Sequence, residues 1–187
     1  MKNSIYWLWM TCRIIANENR LHFLRLILND PEQCVKDLAA EAGITPSAAS
    51  IHLKNLCDEG LITAHRAGLS VNYSFGSEYA PSHILPLQAA LKKCFSNETD
   101  YQAIIHQATG CTHQRRIELI QRIAAAPSSI RELVERSHMS YSAIDRHIRK
   151  LATRGYVVCK NNQYCTAKPP GYLAAALSNV IIKASRY

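Results

Sequence analysis

The sequence predicts a mainly α fold with small β-hairpins, and predicts it twice within one chain. Three observations carry that expectation. Two segments align without a gap over more than twenty residues, each holds apolar residues at helical spacing up to a glycine, and each then turns to a strand-like alternation. Cys34 to Ile62 (CVKDLAAEAGITPSAASIHLKNLCDEGLI) lies over Ser129 to Val157 (SIRELVERSHMSYSAIDRHIRKLATRGYV). Leu38 then falls on Leu133, His52 on His147, Leu53 on Ile148, Leu56 on Leu151 and Gly60 on Gly155, each 95 positions apart.

In chain order, Ile5 to Ile15 and Glu18 to Leu28 are expected as helices ahead of the first copy. Pro31 and Glu32 open a short helix through Ala42, Gly43 supplies a turn, and Thr45 caps a second helix whose first-turn residue is Pro46. A threonine hydroxyl there accepts from an N–H that has no helical partner, and proline tolerates a position where its own N–H is not needed. Ala49, Leu53 and Leu56 recur at i, i+4 and i+7, a stripe that must face a core, and leave Ser47, Ser50, Ile51 and Lys54 opposite. Leu61 to Phe75 (LITAHRAGLSVNYSF) alternates around Ala67 and Gly68 as a hairpin or wing. Tyr79 to Cys94, Tyr101 to Gln107 and Gln114 to Ala124 are further helices.

In the second copy, Ser129 and Glu132 make a capping-box pattern, and Ser140 caps a helix with the apolar stripe Ile144, Ile148 and Leu151. Tyr141, Ser142, Asp145, Arg146, Arg149 and Lys150 point away from that stripe. Gly155 to Ala167 forms a shorter hairpin turning at Asn161 and Asn162, and Tyr172 to Ala184 is the last helix. Helix, tight turn, helix and hairpin make a winged helix-turn-helix, so the full expectation is a tandem winged helix-turn-helix. The polar stretch Ser96 to Asp100 divides it into domains 1–95 and 96–187.

At 187 residues and 48% hydrophobic content the chain can bury two small cores. Its net charge of +8 favours a polyanionic partner, and the charge is lopsided: residues 1–95 carry 9 basic against 8 acidic residues, +1, and residues 96–187 carry 13 against 6, +7. The seven cysteines are scattered, odd in number and without a C-x-x-C pair, which reads as reduced thiols in a cytoplasmic protein. The apolar run Ile5 to Met10 is too short for a secretion signal, and no stretch reaches the roughly 20 apolar residues of a membrane span. No Gly-rich phosphate loop, nucleophile elbow or paired-carboxylate site stands out, so no enzyme and no cofactor is expected.

The first copy resembles the arsenic-repressor-like (ArsR) family of bacterial winged-helix regulators. The resembling residues are ANENRLHFLRLIL, VKDLAAEAGITPSAASIHLKNLCDEGLI and the return strand Val71-Asn72-Tyr73-Ser74-Phe75, with Ser47-Ala48-Ala49-Ser50-Ile51-His52-Leu53-Lys54 as the most specific part. The second copy keeps the frame loosely, with Asp145 where the first has Ser50. The resemblance implies a DNA-binding transcription regulator, a repressor, with double-stranded DNA as partner. It also implies a homodimer of single units, so one chain with two units stands as a pseudo-dimeric monomer or as a homodimer. In the former, Ile5 to Ile15 and Tyr79 to Cys94 pack against Tyr101 to Gln107 and Tyr172 to Ala184.

Recognition helices Pro46 to Cys57 and Tyr141 to Thr153 are expected to enter the major groove, where polar side chains read base edges while the wings hold phosphates. In the second, Arg146 is the candidate for guanine, Arg149 and Lys150 for phosphates, and Tyr141 and Ser142 lie on the same face. The first offers Ser47, Ser50, His52 and Lys54. Ile51 stands where the family commonly has arginine, which shifts its reading toward thymine methyls. Arg66 and Lys160 are the wing candidates. His52 and His147 adjoin the core stripes and have an equal structural role open to them. If both units bind one duplex, their centres fall about one helical turn, roughly 34 Å, apart on an asymmetric operator.

Many relatives grip a soft metal through a C-V-C pair at the start of the shorter helix, but here it is Cys34-Val35-Lys36, so the second thiol is lost. The other family site needs Asp and His ligands on the last helix, where only His83 is offered. His106, Cys111 and His113, like Cys159 and Cys165, lack a four-ligand zinc spacing, and no metal is expected. Cys12 and Cys94 offer a redox pair if their helices meet. The rival from another class is a structural adaptor, tandem winged helices binding protein, against which the basic second helix speaks.

Overall fold

The computed structural model describes residues 7–31, 33–68, 70–76 and 80–184. Their contacts fall into two compact units, Ile14–Ile105 and Met1–Arg13 with His106–Tyr187. Ile5, Tyr6, Glu32, Leu69 and Tyr79, which enter the expected elements, lie outside the described residues.

Helix α1 (Leu8–Ile15) opens the chain, and α2 (Glu18–Asn29) follows in the 14–105 unit. Asn17 caps α2 by accepting from the Arg20 N–H, and the Arg20 Nε–H donates to the Ile14 carbonyl, which would otherwise be an orphan at the end of α1. Strand β1 (Gln33–Cys34) and helix α3 (Val35–Glu41) come next. Here the expected helix from Pro31 is corrected. The Cys34 N–H donates to the Asp37 carboxylate at 3.3 Å, fixing the cap at Cys34, and Gln33 and Cys34 pair with a later strand instead.

Helix α4 (Pro46–Asp58) starts as expected at Thr45, whose hydroxyl accepts from the Ala48 N–H at 3.3 Å. Strands β2 (Ile62–Ala67) and β3 (Ser70–Phe75) form the hairpin, with sheet order β1-β3-β2, all antiparallel; Tyr73 stands opposite Gln33 on one side and Ala64 on the other. Helix α5 is Leu85–Ser96, not Tyr79 to Cys94. Pro86 suits the first turn, where no N–H is needed, while the chain from Pro81 makes a separate turn closed by the Ile84 N–H on the Pro81 carbonyl at 2.8 Å. Leu21, Leu24, Leu38, Leu53, Leu56 and Leu61 are fully buried in this unit.

Helix α6 (Tyr101–Thr109) leads into α7 (Gln114–Ala125), α8 (Ile130–Arg136), α9 (Tyr141–Thr153), strands β4 (Val157–Lys160) and β5 (Gln163–Thr166), and α10 (Tyr172–Ala184). The Ser129–Glu132 capping box and the Ser140 cap form as expected. Asn161 and Asn162 both adopt positive φ (49° and 59°), the conformation a two-residue hairpin turn demands. The end of α6 is fixed to this unit. The buried Tyr156 hydroxyl donates to the Gln107 carbonyl at 2.9 Å, and Arg154 Nε–H to the Thr109 hydroxyl at 3.0 Å. The start of α6 is held in the other unit by Gln102 on Glu18 and by the His22–Tyr101 ring contact. Contacts therefore change hands inside α6, at 105/106, where the polar stretch Ser96 to Asp100 suggests 95/96.

Several local arrangements recur in both units. Arg116 reaches back from α7 as Arg20 does from α2, its Nε–H donating to the Gly110 carbonyl at 2.7 Å. Ser128 bridges Tyr164 of β5 much as Gln33 pairs with Tyr73 of β3. Gly60 and Gly155, both at positive φ, lie against Pro81 and Pro170. The boundary also sharpens the charge: residues 14–105 carry 7 basic against 10 acidic residues, −3, and the remainder 15 against 4, +11.

Candidate nucleic-acid interface

On α4 the side chains divide by helical geometry. Ala49, Leu53 and Leu56 are buried, while Ser47, Ser50, Ile51 and Lys54 are exposed, Ile51 by 62%. Ser50 is turned back on its own helix, its hydroxyl donating to the Pro46 carbonyl at 2.8 Å, and Lys54 holds Asp58 at 2.7 Å. One basic against one acidic side chain leaves this face electrically neutral. His52 is half-buried between the two faces. Its ring is tilted against Phe23 with centroids 6.0 Å apart, Nδ1 is buried without a partner, and burial followed by Arg20 lowers its proton affinity.

Helix α9 buries Ile144, His147, Ile148 and Leu151 and exposes Tyr141, Ser142, Arg146, Arg149 and Lys150. Arg149 is paired with Asp145 at 2.9 Å, an exposed pair that costs little to exchange for a phosphate. Arg146 has no hydrogen bond or ion pair among the described residues. Three basic side chains against one acidic make this face +2. Arg66 on β2 and Lys160 at the tip of β4 are both exposed.

Behind α9 lies a layer in which His147 meets His113 and Arg116 of α7, a grouping the sequence reading did not make. His113 caps α7, its Nδ1 accepting from the Arg115 N–H at 3.1 Å, and its ring sits 4.8 Å from that of His147. Arg116, 7% exposed, spans from α7 to the Gly110 and Thr109 carbonyls and the Thr112 hydroxyl. A signal for it existed. NENRLHFLRLI (17–27) matches HQRRIELIQRI (113–123) at 96 positions, one more than the main repeat, because the following loop is a residue shorter in the second copy.

His147 is 6% exposed and burial, then His113, Arg116, Arg146 and Arg115, pushes its pKa from 6.5 down to about 4. The unfolded ring takes a proton near pH 6.5 that the folded ring refuses until about pH 4. Between those values the unfolded chain binds more protons, so acidification destabilises the fold, by about 2 kcal/mol after allowance for solvent screening. Urea titrations at pH 7 and pH 4.5 should show that loss in the α7–α10 unit, and His147→Gln should reduce it.

All seven cysteines are free thiols. Cys34 is the cap of α3, and Cys57 is pushed up to about 11 by burial, helped by Asp58, so it stays protonated. On the β4–β5 hairpin Cys165 faces Val158 and Cys159 faces Tyr164, so neighbouring register positions send the two thiols to opposite faces. Cys12 and Cys94 are both buried. Among the described residues no three His, Cys, Asp or Glu side chains are grouped to hold a metal, and no helix is long and apolar enough to cross a membrane.

Residues 17–64, from the α2 cap through α4 into β2, match the family model described as bacterial regulatory protein, arsR family. Among solved structures, reduced HlyU from Vibrio cholerae N16961 is 25% identical over 53% of this chain and 95% of its own, with a TM-score of 0.42. A second HlyU structure from Vibrio cholerae N16961 is 23% identical over 54% of this chain and 100% of its own, with a TM-score of 0.43.

Proposed function

Proceeding from the ArsR-family helix-turn-helix domain at residues 17–64, we propose that the chain is a cytoplasmic DNA-binding transcription regulator, a repressor, that reads duplex DNA through two helices, α4 and α9. On this reading residues 106–184 hold a second winged helix-turn-helix. The observation that carries it is the division of α9, whose apolar stripe is buried while Tyr141, Ser142, Arg146, Arg149 and Lys150 share the exposed face. The recurrence of the arginine bridge, the strand pairing and the glycine–proline contact in both units supports it further.

The two helices divide the work. Arg146 donates two parallel hydrogen bonds to guanine, Arg149, Lys150 and Lys160 hold phosphates, and Ile51 meets thymine methyls beside Ser47, Ser50 and Lys54, with Arg66 on the backbone. The regulator acts as a pseudo-dimeric monomer or as a homodimer, two states that solution mass with and without DNA tells apart. A gel shift on random duplex across a salt series tests the reading. Binding should weaken steeply as salt rises, because neutralised phosphates release counterions. Weak, salt-insensitive binding would favour the protein-binding adaptor.

A further inference from the structure

Asp145 is the one acidic residue of α9. It stands one turn from Tyr141 and Ser142 on one side and one turn from Arg149 on the other, so it belongs to the row of side chains presented beside Arg146. Its side chain is partly exposed, and the Arg149 guanidinium pairs with it through Nε, 2.9 Å from Oδ2. We propose that Asp145 selects cytosine in the duplex, its carboxylate accepting from the exocyclic N4 amine. The inference rests on α9 as a DNA-reading helix and adds a base-selecting residue to it.

An acid on a DNA-facing surface is repelled by phosphates, and in the free protein Arg149 offsets that charge. DNA binding disturbs the balance. When Arg149 turns to a phosphate it leaves a carboxylate at the groove, and an anion desolvated there without a donor is costly. An ionised carboxylate accepts and cannot donate, so only a base edge that donates can replace the guanidinium. In the major groove cytosine offers its N4 amine alone. Adenine sets its N6 amine beside the N7 acceptor, while guanine and thymine present acceptor oxygens that repel a carboxylate. The demand for a donor thereby becomes selection of a base. The first copy has no counterpart: Ser50, at the matching position, turns its hydroxyl onto the Pro46 carbonyl at 2.8 Å. The selection therefore belongs to α9, in keeping with an asymmetric operator.

Full-length protein selects from a randomised duplex library at fixed salt, and binding is then measured on the selected duplex and on its single-base variants. At one position the wild-type chain should prefer cytosine about tenfold over each other base. Asp145→Asn, whose amide both accepts and donates, should move that position toward adenine, whose N7 and N6 match it. Asp145→Ala should flatten the preference there, leave the other positions as they were, and bind unrelated duplex more tightly because an anion is gone. Far-UV circular dichroism confirms that each variant is folded. If Asp145 only bridges Arg149 along the helix, both variants change affinity equally on every duplex and keep the cytosine preference. That result overturns the proposal and leaves α9 as a DNA-reading helix. A wild-type chain that binds duplex without a cytosine preference overturns it too, and one that binds no duplex overturns the reading of α9 with it.

Discussion

Replacing Arg146 with alanine is expected to lower affinity for the preferred duplex by about 1 to 3 kcal/mol and to relax base preference at one position of the site. The side chain is exposed on α9, has no ion pair among the described residues, and projects from a helix whose other face is buried. The expected loss is concentrated on the preferred sequence, because a guanidinium on guanine is worth more than one on a phosphate. Equilibrium binding at fixed salt, on the preferred duplex and on single-base variants of it, reads both effects. Equal losses on every duplex would make Arg146 a phosphate contact, and no loss would remove it from the interface.

Two residues further on, Ile148→Ala acts on the opposite face with the opposite signature. Ile148 is fully buried between α9 and the rest of its unit, so the change removes methylenes and leaves a cavity, for about 2–5 kcal/mol. Hydrogen exchange localises the effect: amides of α7 to α10 should lose protection while those of α2 to α4 keep theirs. Arg146→Ala should leave protection within about 0.5 kcal/mol everywhere, as exposed substitutions do. The pair separates fold from contact on one helix.

The helices of both copies of the repeat were legible because they depend on local rules. Thr45, Ser129 and Ser140 cap as hydroxyls do, and Ala49, Leu53, Leu56 and Ile144, Ile148, Leu151 recur at the spacing a buried stripe requires. The start of α3 was misplaced because its neighbour in space, β3, lies some forty residues away, and strand pairing with Tyr73 and Asn72 is invisible to helical periodicity. The start of α5 was misplaced because Pro81 and Pro86 close one turn and begin another, and composition alone does not say which proline leads the helix. Within the candidate site, exposure followed the pattern of the sequence, but pairing did not. The Lys54–Asp58 and Arg149–Asp145 bridges decide how much charge each face offers. The His113–His147–Arg116 layer depends on side chains packed across helices, which no local spacing encodes.

The claim that α9 supplies more of the electrostatic affinity than α4 is tested most directly by the slope of log affinity against log salt. Each phosphate contact contributes about 0.9 to that slope on duplex DNA. Arg149→Ala with Lys150→Ala removes two phosphate candidates and should reduce it by about 2, while Lys54→Ala removes one and should reduce it by about 1 or less; Arg149 and Lys54 both sit in i,i+4 ion pairs, with Asp145 and Asp58, that give way to phosphate alike. A slope that survives the α9 pair unchanged but falls with Lys54→Ala would contradict the account.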